Sequence, residues 1–258
     1  MRRLTIHQFP CLDDNYGYLV HVEGTDITAT IDTPDAAAIA AELDRKGWRL
    51  THILNTHWHP DHAGGNRALK DRYGAVVVAP ADTEHRIADV DRAVREGDVV
   101  DLGGVEAEVL DVPGHTTDHI AYWFRSEGLA FVGDTLFALG CGRLFEGTPA
   151  QMWTSLSKLT AMPEDTTIYC AHEYTAANAR FAATIEPDNE ALRERIAEIG
   201  RLRAQGLPTV PTTIGLELAT NPFLRAQQPG VRATVEMADA SDVDVFAEVR
   251  ARKDSFRG

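Results

Sequence analysis

The chain has 258 residues, of which 39 are acidic and 25 basic, so its formal net charge is −14. This acidity argues against nucleic-acid binding as the main role. Hydrophobic residues make up 44% and charged residues 25%, which is the balance of an ordinary globular protein. The length fits one large domain, or one domain with a smaller appendage.

Cysteine content and the first residues indicate a reducing compartment. Cys11, Cys141 and Cys170 are too few to build a disulfide framework. Met1–Leu4 is charged, but no apolar segment of the signal-peptide kind follows it. No apolar run approaches the length of a membrane span. We therefore expect a cytoplasmic protein without membrane attachment.

Strands dominate the first two-thirds of the chain, with helices between them. Apolar, β-branched and aromatic runs predict strands at Leu4–Phe9, Tyr16–Val22, Thr28–Ile31, Thr51–Asn55, Val76–Ala79, Val105–Val112, His119–Phe124, Leu129–Val132 and Thr166–Cys170. Thr33-Pro34 and Thr148-Pro149 each place a capping residue before proline, so a helix should start at each. Another helix should run from about His62 to Lys70.

The pattern changes after Tyr174, where helical segments replace strands. Asp188–Gln205 and Asp242–Lys253 are rich in Glu, Arg, Ala and other helix-forming residues. We therefore predict a boundary near residue 174. Residues 1–173 should form two packed sheets flanked by helices, and residues 174–258 a small, largely helical domain.

The segment His57-Trp58-His59-Pro60-Asp61-His62 places four metal-binding side chains within six residues. Pro60 lacks a backbone N–H, so His57 and His59 should lie on an irregular turn after a strand. Imidazole suits zinc and similar borderline metals, and a carboxylate suits a harder ion. A chance cluster of surface histidines is the alternative, against which further candidate ligands downstream argue.

Those further candidates each follow a predicted strand: His115, Asp134 and His172. Ends of several strands can converge at one edge of a layered structure, where α/β-type folds place their sites. A single His or Asp at a strand end is more often a cap or a turn residue. The same arrangement at four strand ends favours a common site.

Seven candidate ligands are too many for one four-coordinate zinc, which takes three protein ligands in a catalytic site. One ion would be held by His57, His59 and His115. The second would be held by Asp61, His62 and His172. Asp134 would bridge the two ions with one oxygen to each. The sequence therefore predicts two divalent ions, with zinc the first expectation and iron or manganese the alternatives.

These motifs resemble those of the metallo-β-lactamase superfamily and, within it, the glyoxalase II enzymes, which are hydroxyacylglutathione hydrolases. The wider resemblance lies in His57-x-His59-x-Asp61-His62 followed by distant His, Asp and His. The narrower one lies in Thr56–Asn66, Gly133–Phe137, Cys141–Gly147, Ala171–Thr175, Leu12–Tyr16 and Asn221–Phe223. It covers nearly the whole chain.

The resemblance implies a four-layer αββα sandwich with a small helical carboxyl-terminal domain that binds substrate. It implies a thioester hydrolase that cleaves S-D-lactoylglutathione to glutathione and D-lactate, the second step of methylglyoxal detoxification. Two adjacent ions lower the pKa of a shared water and stabilise a developing oxyanion. Asp61, by orienting that water, and Asp134 would be the catalytic carboxylates. The thiolate is a good leaving group because the pKa of a free thiol is about 8.5, so no strong protein acid is required.

Four residues are candidates for binding glutathione. Arg250 and Lys253 are three apart and would share a helix face, where they could hold a carboxylate. Spacing alone favours a solvated helix face, whereas the resemblance favours binding and adds Arg143 and Tyr174. Phe145 stands where some members carry a tyrosine that hydrogen-bonds glutathione, so binding here should depend more on the other residues or be weaker.

Several histidines and one acid have structural interpretations. His119 either supports a ligand imidazole or packs as an ordinary core residue. Asp32 either holds the metal-binding segment by hydrogen bonds, as the resemblance implies, or shapes its own turn. Hydrogen-bonded strand positions are expected for three others: His7, His21 and His52. His85 should be exposed.

Other activities on the same scaffold remain as alternatives. A lactonase or β-lactamase would share the metal motif, but Cys141–Gly147 and the basic end of the chain argue against both. A glutathione persulfide dioxygenase uses one iron, whereas Asp61, His62 and His172 complete a second site. A metal-binding scaffold without catalysis is disfavoured by the full ligand set. We expect a monomer.

Overall fold

The computed structural model describes residues 3–81, 83 and 86–258. They form two compact units. The first contains Met1–Asp111 and Thr117–Gly133, and the second contains Val112–Thr116 and Asp134–Gly258. The predicted division into residues 1–173 and 174–258 stays a prediction, and His85 lies outside the described residues.

The first sheet of unit 1 has six strands in chain order. These are β1 Leu4–Cys11, β2 Asn15–Val22, β3 Thr28–Ile31, β4 His52–Leu54, β5 Val76–Pro80 and β6 Arg92–Val94. The first three strands run antiparallel and the remaining connections are parallel. As predicted, His7, His21 and His52 are hydrogen-bonded, to Glu42, Thr28 and Thr51 respectively.

Unit 1 also contains a run of four antiparallel strands. These are β7 Val99–Asp101, β8 Glu106–Asp111, β9 Ile120–Phe124 and β10 Leu129–Gly133. Tyr18 of β2 meets Phe131 of β10 edge to face, with 5.3 Å between ring centroids. This buried aromatic pair joins the two sheets, because apolar faces of sheets must cover one another. The short strands β6 and β7 were not predicted.

The helices of unit 1 correct two predictions. Helix α1, Ala36–Lys46, is capped by Asp35, which accepts from Ala37 and Ala38, and not by Thr33. The predicted helix from His62 to Lys70 is two helices, α2 Pro60–Ala63 and α3 Asn66–Tyr73. They are separated because Gly65 donates to the Thr33 carbonyl at 3.0 Å. The core here is an apolar cluster that includes Ile39, Leu43, Ile53, Leu69 and Val77.

Unit 2 is mostly helical. Its strands form two short antiparallel pairs, β11 Leu136–Phe137 with β12 Gly140–Cys141, and β13 Thr167–Cys170 with β14 Thr212–Thr213. Its helices are α4 Pro149–Thr160, α5 Thr175–Ile185, α6 Glu190–Ala204, α7 Ile214–Thr220, α8 Pro229–Val235 and α9 Asp242–Ser255. Thr148 caps α4 in a capping box with Gln151, which confirms the helix start predicted there. Phe223 packs between Phe181 and Phe246, with centroids 5.8 and 6.2 Å away.

All three cysteines are buried thiols without a disulfide. Burial raises the pKa of Cys11 and of Cys170 to about 12, and that of Cys141 to about 11. In the described part of the chain, no helix combines the length and the apolar character that crossing a bilayer requires.

Candidate metal centre and substrate region

Buried amides hold the metal loop, defined here as residues 55–66. The Asn55 amide donates to the Asn66 side-chain oxygen at 3.2 Å and to the His62 carbonyl at 2.9 Å. The Asn66 amide donates back to Asn55 at 2.7 Å, and the Thr33 hydroxyl donates to Asn66 at 2.7 Å. Buried polar groups that are paired in this way fix the backbone from which the predicted ligands project.

Asp32, directly after β3, binds the metal loop with both carboxylate oxygens. One oxygen accepts the Thr56 N–H at 2.7 Å, and the other accepts the Thr56 hydroxyl and His62 Nδ1, both at 2.8 Å. The backbone of Asp32 is left-handed, with φ of 57°. Because a carboxylate accepts, the His62 proton lies on Nδ1, and Nε2 keeps its lone pair for a metal. Of the two interpretations of Asp32, the structure favours support of the metal loop.

His57 is fully buried, and other imidazole rings contact it. Its Nε2 lies 3.0 Å from His59 Nδ1. The His119 ring stacks on it at 20° with 4.6 Å between centroids, so His119 packs against a predicted ligand. A side chain at Gly133 would meet His119 and Thr56 at 2.7 Å, and the φ there is 49°. Only glycine is therefore compatible with the position before Asp134.

The other predicted ligands lie in unit 2 and are also buried. His115 Nδ1 lies 2.9 Å from the Arg143 carbonyl. A carbonyl only accepts, so the proton is on Nδ1 and Nε2 keeps its lone pair. Asp134 Oδ2 is 3.3 Å from His115 Nε2, and Asp134 Oδ1 is 3.4 Å from His172 Nε2. Each carboxylate oxygen thus faces a different imidazole.

Asn15 was missed as a site residue by sequence reasoning. Its buried amide donates to the Asp61 carboxylate at 3.1 Å. The signal for it was its place in the family-like segment Leu12–Tyr16, which carried no chemical role of its own. This hydrogen bond orients the one predicted carboxylate ligand of the metal loop.

Unit 1 supplies four of the seven predicted ligands, His57, His59, Asp61 and His62, and unit 2 supplies the other three, His115, Asp134 and His172. Five imidazoles and two carboxylates make a donor set that suits divalent transition metals.

Three of the residues expected around the substrate are accessible. Arg143 is exposed, and so is Phe145, with 62% of its surface accessible. The Tyr174 ring, 37% exposed, stacks on His172 at 2° with 4.7 Å between centroids. The Phe145 ring meets His115 edge to face at 5.2 Å. Aromatic surfaces therefore lie directly beside two predicted metal ligands.

Helix α9 carries the other two predicted substrate residues. Arg250 is buried, donates to the Cys141 carbonyl at 2.9 Å and pairs with Asp254 at 2.8 Å. Lys253 is half-buried and donates to the Ala177 carbonyl at 3.2 Å. Arg250 thus already has structural partners, whereas the Lys253 ammonium has protons left for a ligand.

Lys253 belongs to a set of like charges called here the basic cluster: Arg143, Arg180, Arg250 and Lys253. Burial, and then the charges of the three arginines, lower the pKa of Lys253 to about 8. Four cations at one place, of which only Arg250 is paired with a carboxylate in the contacts described above, suit an anionic ligand that would relieve their mutual repulsion.

Comparison with known proteins agrees with this arrangement. Residues 21–172 match the metallo-beta-lactamase superfamily, and residues 173–256 match the hydroxyacylglutathione hydrolase C-terminus. The BLEG-1 B3 metallo-beta-lactamase superposes with a TM-score of 0.67 at 22% identity, over 86% of this chain and all of its own. TTHA1623 in a di-iron-bound form superposes with a TM-score of 0.60 at 24% identity, over 85% of this chain and all of its own.

The fold and the donor set define a protein of the metallo-β-lactamase superfamily, with the four-layer αββα sandwich and the helical carboxyl-terminal domain that the sequence implied. A hydroxyacylglutathione hydrolase from Maricaulis maris (strain MCS10) is 57% identical over 99% of this chain and 100% of its own length. The chain belongs to the hydroxyacylglutathione hydrolase family.

Proposed function

We propose that this enzyme hydrolyses S-D-lactoylglutathione, and S-2-hydroxyacylglutathiones generally, to glutathione and the free hydroxy acid. In that role it completes the detoxification of methylglyoxal. The observation that carries the proposal is Asp134, whose two oxygens face two imidazoles at 3.3 and 3.4 Å. Family membership supports a thioester substrate and does not favour the lactonase or persulfide dioxygenase alternatives.

The donor set fits two divalent ions. The residues that would hold one ion are His57, His59 and His115, those for the other are Asp61, His62 and His172, and Asp134 would bridge. Asp32 and the Arg143 carbonyl favour the ligating tautomers of His62 and His115. Such ions lower the pKa of water and polarise a carbonyl. Zinc is our first expectation, with iron or manganese as alternatives; one relative by fold is di-iron-bound.

The chain's own catalytic task is then orientation. Asp61, held by the Asn15 amide at 3.1 Å, would orient the attacking water toward the thioester carbonyl. The leaving thiolate needs no protonation by the protein, because a thiol pKa of about 8.5 makes it a competent leaving group. Thioester cleavage therefore requires no general acid from the protein, whereas amide cleavage requires one to protonate the leaving nitrogen.

Glutathione would be held beside the metals by charge and by stacking. Lys253 and Arg143 would pair with its carboxylates, since charge-assisted hydrogen bonds are the stronger kind. Tyr174 would contribute its hydroxyl and ring face. Arg250 would attract the anionic ligand by its positive charge. It would also hold Cys141 in place through its hydrogen bond to the Cys141 carbonyl. Phe145 lacks a hydroxyl and would offer only apolar contact.

The domain assignment follows from these roles. We assign catalysis to residues 1–173, which also contribute Arg143, and the other substrate-binding residues to a helical domain of residues 174–258. Family matches that meet between residues 172 and 173 support this division. We expect a cytoplasmic monomer that needs no partner besides its substrate.

The test is a substrate panel combined with metal analysis. Turnover of S-D-lactoylglutathione should exceed that of a lactone, nitrocefin and glutathione persulfide by orders of magnitude. Protein purified without chelator should approach about two equivalents of zinc, iron and manganese combined. Full activity at one equivalent would overturn the two-metal site, and preference for another substrate would overturn the thioester assignment.

A further inference from the structure

A short hairpin in unit 2 separates two of the proposed site residues. The site hairpin, defined here as Leu136–Cys141, consists of β11 and β12 joined by a two-residue turn. Asp134 lies two residues before it and Arg143 two residues after it. Whatever fixes the hairpin therefore fixes the path of the chain between a proposed metal ligand and a proposed substrate ligand.

Glu217 and Asn221, both fully buried, bind the backbone of this turn. A Glu217 oxygen accepts the Leu139 N–H at 2.9 Å. The Asn221 amide donates to the carbonyls of Phe137 and Gly140, at 3.2 and 3.0 Å. Leu139 has φ of 59°, which is unfavourable for a leucine. The turn therefore needs these partners, since its own residues do not favour its conformation.

A buried cation in turn fixes the two side chains. Arg195 of α6 makes an ion pair with Glu217 and donates to Thr212 at 3.0 Å. The Asn221 amide also lies 2.9 Å from Glu217. Both oxygens of the Glu217 carboxylate are thus occupied, one by Arg195 and the other by the hairpin and Asn221. A buried network in which every member is paired is rigid.

We propose that Glu217 and Asn221 are positioning residues for the hydrolysis, acting through the site hairpin on the glutathione-binding side of the site. The inference rests on the proposed function. A displaced hairpin would shift Arg143 and also the Phe137 ring, which meets the Tyr174 ring edge to face with 5.4 Å between centroids. Both positioning residues are fully buried, so they would act only through the hairpin. Because Arg143 and Tyr174 are proposed to bind glutathione, the effect should be on binding and not on the bond-breaking step.

The variant Asn221→Ser tests this directly. Serine still accepts the Phe223 N–H that Asn221 caps at 3.0 Å, but it is too short to reach both hairpin carbonyls. The matched control is Asn189→Ser. Asn189 likewise caps a helix, by accepting from Leu192 at 3.1 Å, and its amide donates to the carbonyl of Ala219, which lies on α7 between Glu217 and Asn221, at 3.0 Å. This control therefore disturbs the same helix but leaves the bonds from Glu217 and Asn221 to the hairpin in place.

For Asn221→Ser we expect KM for S-D-lactoylglutathione to rise about tenfold, the worth of one misplaced charge-assisted contact. We expect kcat and metal content to stay near wild type, and an uncharged thioester to be unaffected. Amide hydrogen exchange across residues 136–143 should accelerate about tenfold. Asn189→Ser should show none of these changes, even if both variants unfold at a lower temperature.

If the two variants had equal KM and equal hydrogen-exchange rates, the inference would be overturned. The proposed function would still stand, provided that the wild type hydrolyses the thioester. A wild type that does not hydrolyse the thioester would overturn both. If Asn221→Ser does not fold, Glu217→Gln is measured in the same way. It keeps an acceptor of equal size near Leu139 but loses the oxygen that accepts from Arg195 and Thr212, so the same rise in KM and faster exchange are expected. Faster exchange without a change in KM would limit the role of these residues to stability.

Discussion

The metal loop and the basic cluster hold their side chains in opposite ways. In the metal loop His62 is buried and fixed by Asp32, and the backbone around it is bound by paired amides. In the basic cluster Arg143 is exposed, and the half-buried Lys253 donates to the Ala177 carbonyl at 3.2 Å. Chemistry requires donors at fixed positions, whereas a long anionic substrate can be held by charges that adjust. The metal loop should therefore govern kcat and the basic cluster KM.

The largest effect should come from Asp134→Ala. This variant removes the carboxylate that faces both His115 and His172, so both ion sites weaken together. We expect kcat to fall by orders of magnitude and bound metal to fall below two equivalents, both measured on the same preparation.

The control for that variant is Asp165→Ala, which removes an exposed acid from the turn before β13. It should leave kcat and metal content unchanged. Near-normal turnover in Asp134→Ala would contradict the expectation that the buried donors govern kcat.

Asp32→Ala should have the next largest effect. It removes the partner of His62 Nδ1 and of Thr56, so the imidazole is no longer held in its ligating tautomer. Loss of such a partner typically lowers metal affinity by about 10- to 100-fold, measured by competition with a chelator. Activity should recover at saturating metal.

Asp35→Ala provides the comparison for Asp32→Ala. Asp35 caps α1 through the N–H groups of Ala37 and Ala38. It should cost about 1 kcal/mol of stability with metal affinity unchanged. Equal metal loss in both variants would mean that Asp32 acts through general stability.

Lys253→Ala tests the basic cluster, and it should affect substrate binding rather than turnover. We expect KM for the glutathione thioester to rise about tenfold with kcat little changed, because a contact equal in ground and transition states is lost. The rise should diminish at high salt. Arg250→Ala should resemble it but also loosen the site hairpin through the Cys141 carbonyl.

Arg252→Ala is the matched loss of charge on the same helix. Arg252 pairs with Glu248 at 2.8 Å and binds the Thr234 carbonyl, away from the basic cluster. Its KM should be that of the wild type. A Lys253→Ala enzyme that behaves like Arg252→Ala would make Lys253 part of a solvated helix face.

The smallest effect is a dependence on pH. Lys253 has a pKa of about 8, so it is charged below that pH and neutral above it. Since kcat/KM reports the free enzyme, the preference for an anionic over a neutral thioester should fall a few-fold as pH rises through 8. Lys253→Arg, which stays charged, should abolish the fall. Persistence of the fall in that variant would assign it to another group.

Sequence patterns predicted the strands that precede the proposed ligands, because alternating or continuous apolar runs ending in polar residues are a local signal. They could not assign Asp32, since an acid that closes a strand looks the same whether it binds a neighbouring loop or its own turn. Thr33 was predicted as a helix cap, but its hydroxyl is bound to Asn66, 33 residues away.

The site hairpin shows why the remainder was unpredictable. Its turn, Ala138-Leu139, contains none of the Gly, Asn or Pro residues that identify a tight turn. The left-handed conformation of Leu139 is imposed by Glu217, 78 residues later in the chain. Signals of this kind are tertiary and leave no trace in the local sequence.

The buried thiols have a consequence for the chemical durability of the enzyme. With pKa values of about 11 to 12, Cys11, Cys141 and Cys170 are almost entirely protonated at neutral pH, and the thiolate, not the thiol, is the form that attacks electrophiles. Alkylating reagents should leave the folded protein unmodified and label it only after unfolding. An enzyme that works downstream of a reactive aldehyde is thereby built without a nucleophilic sulfur for that aldehyde to attack.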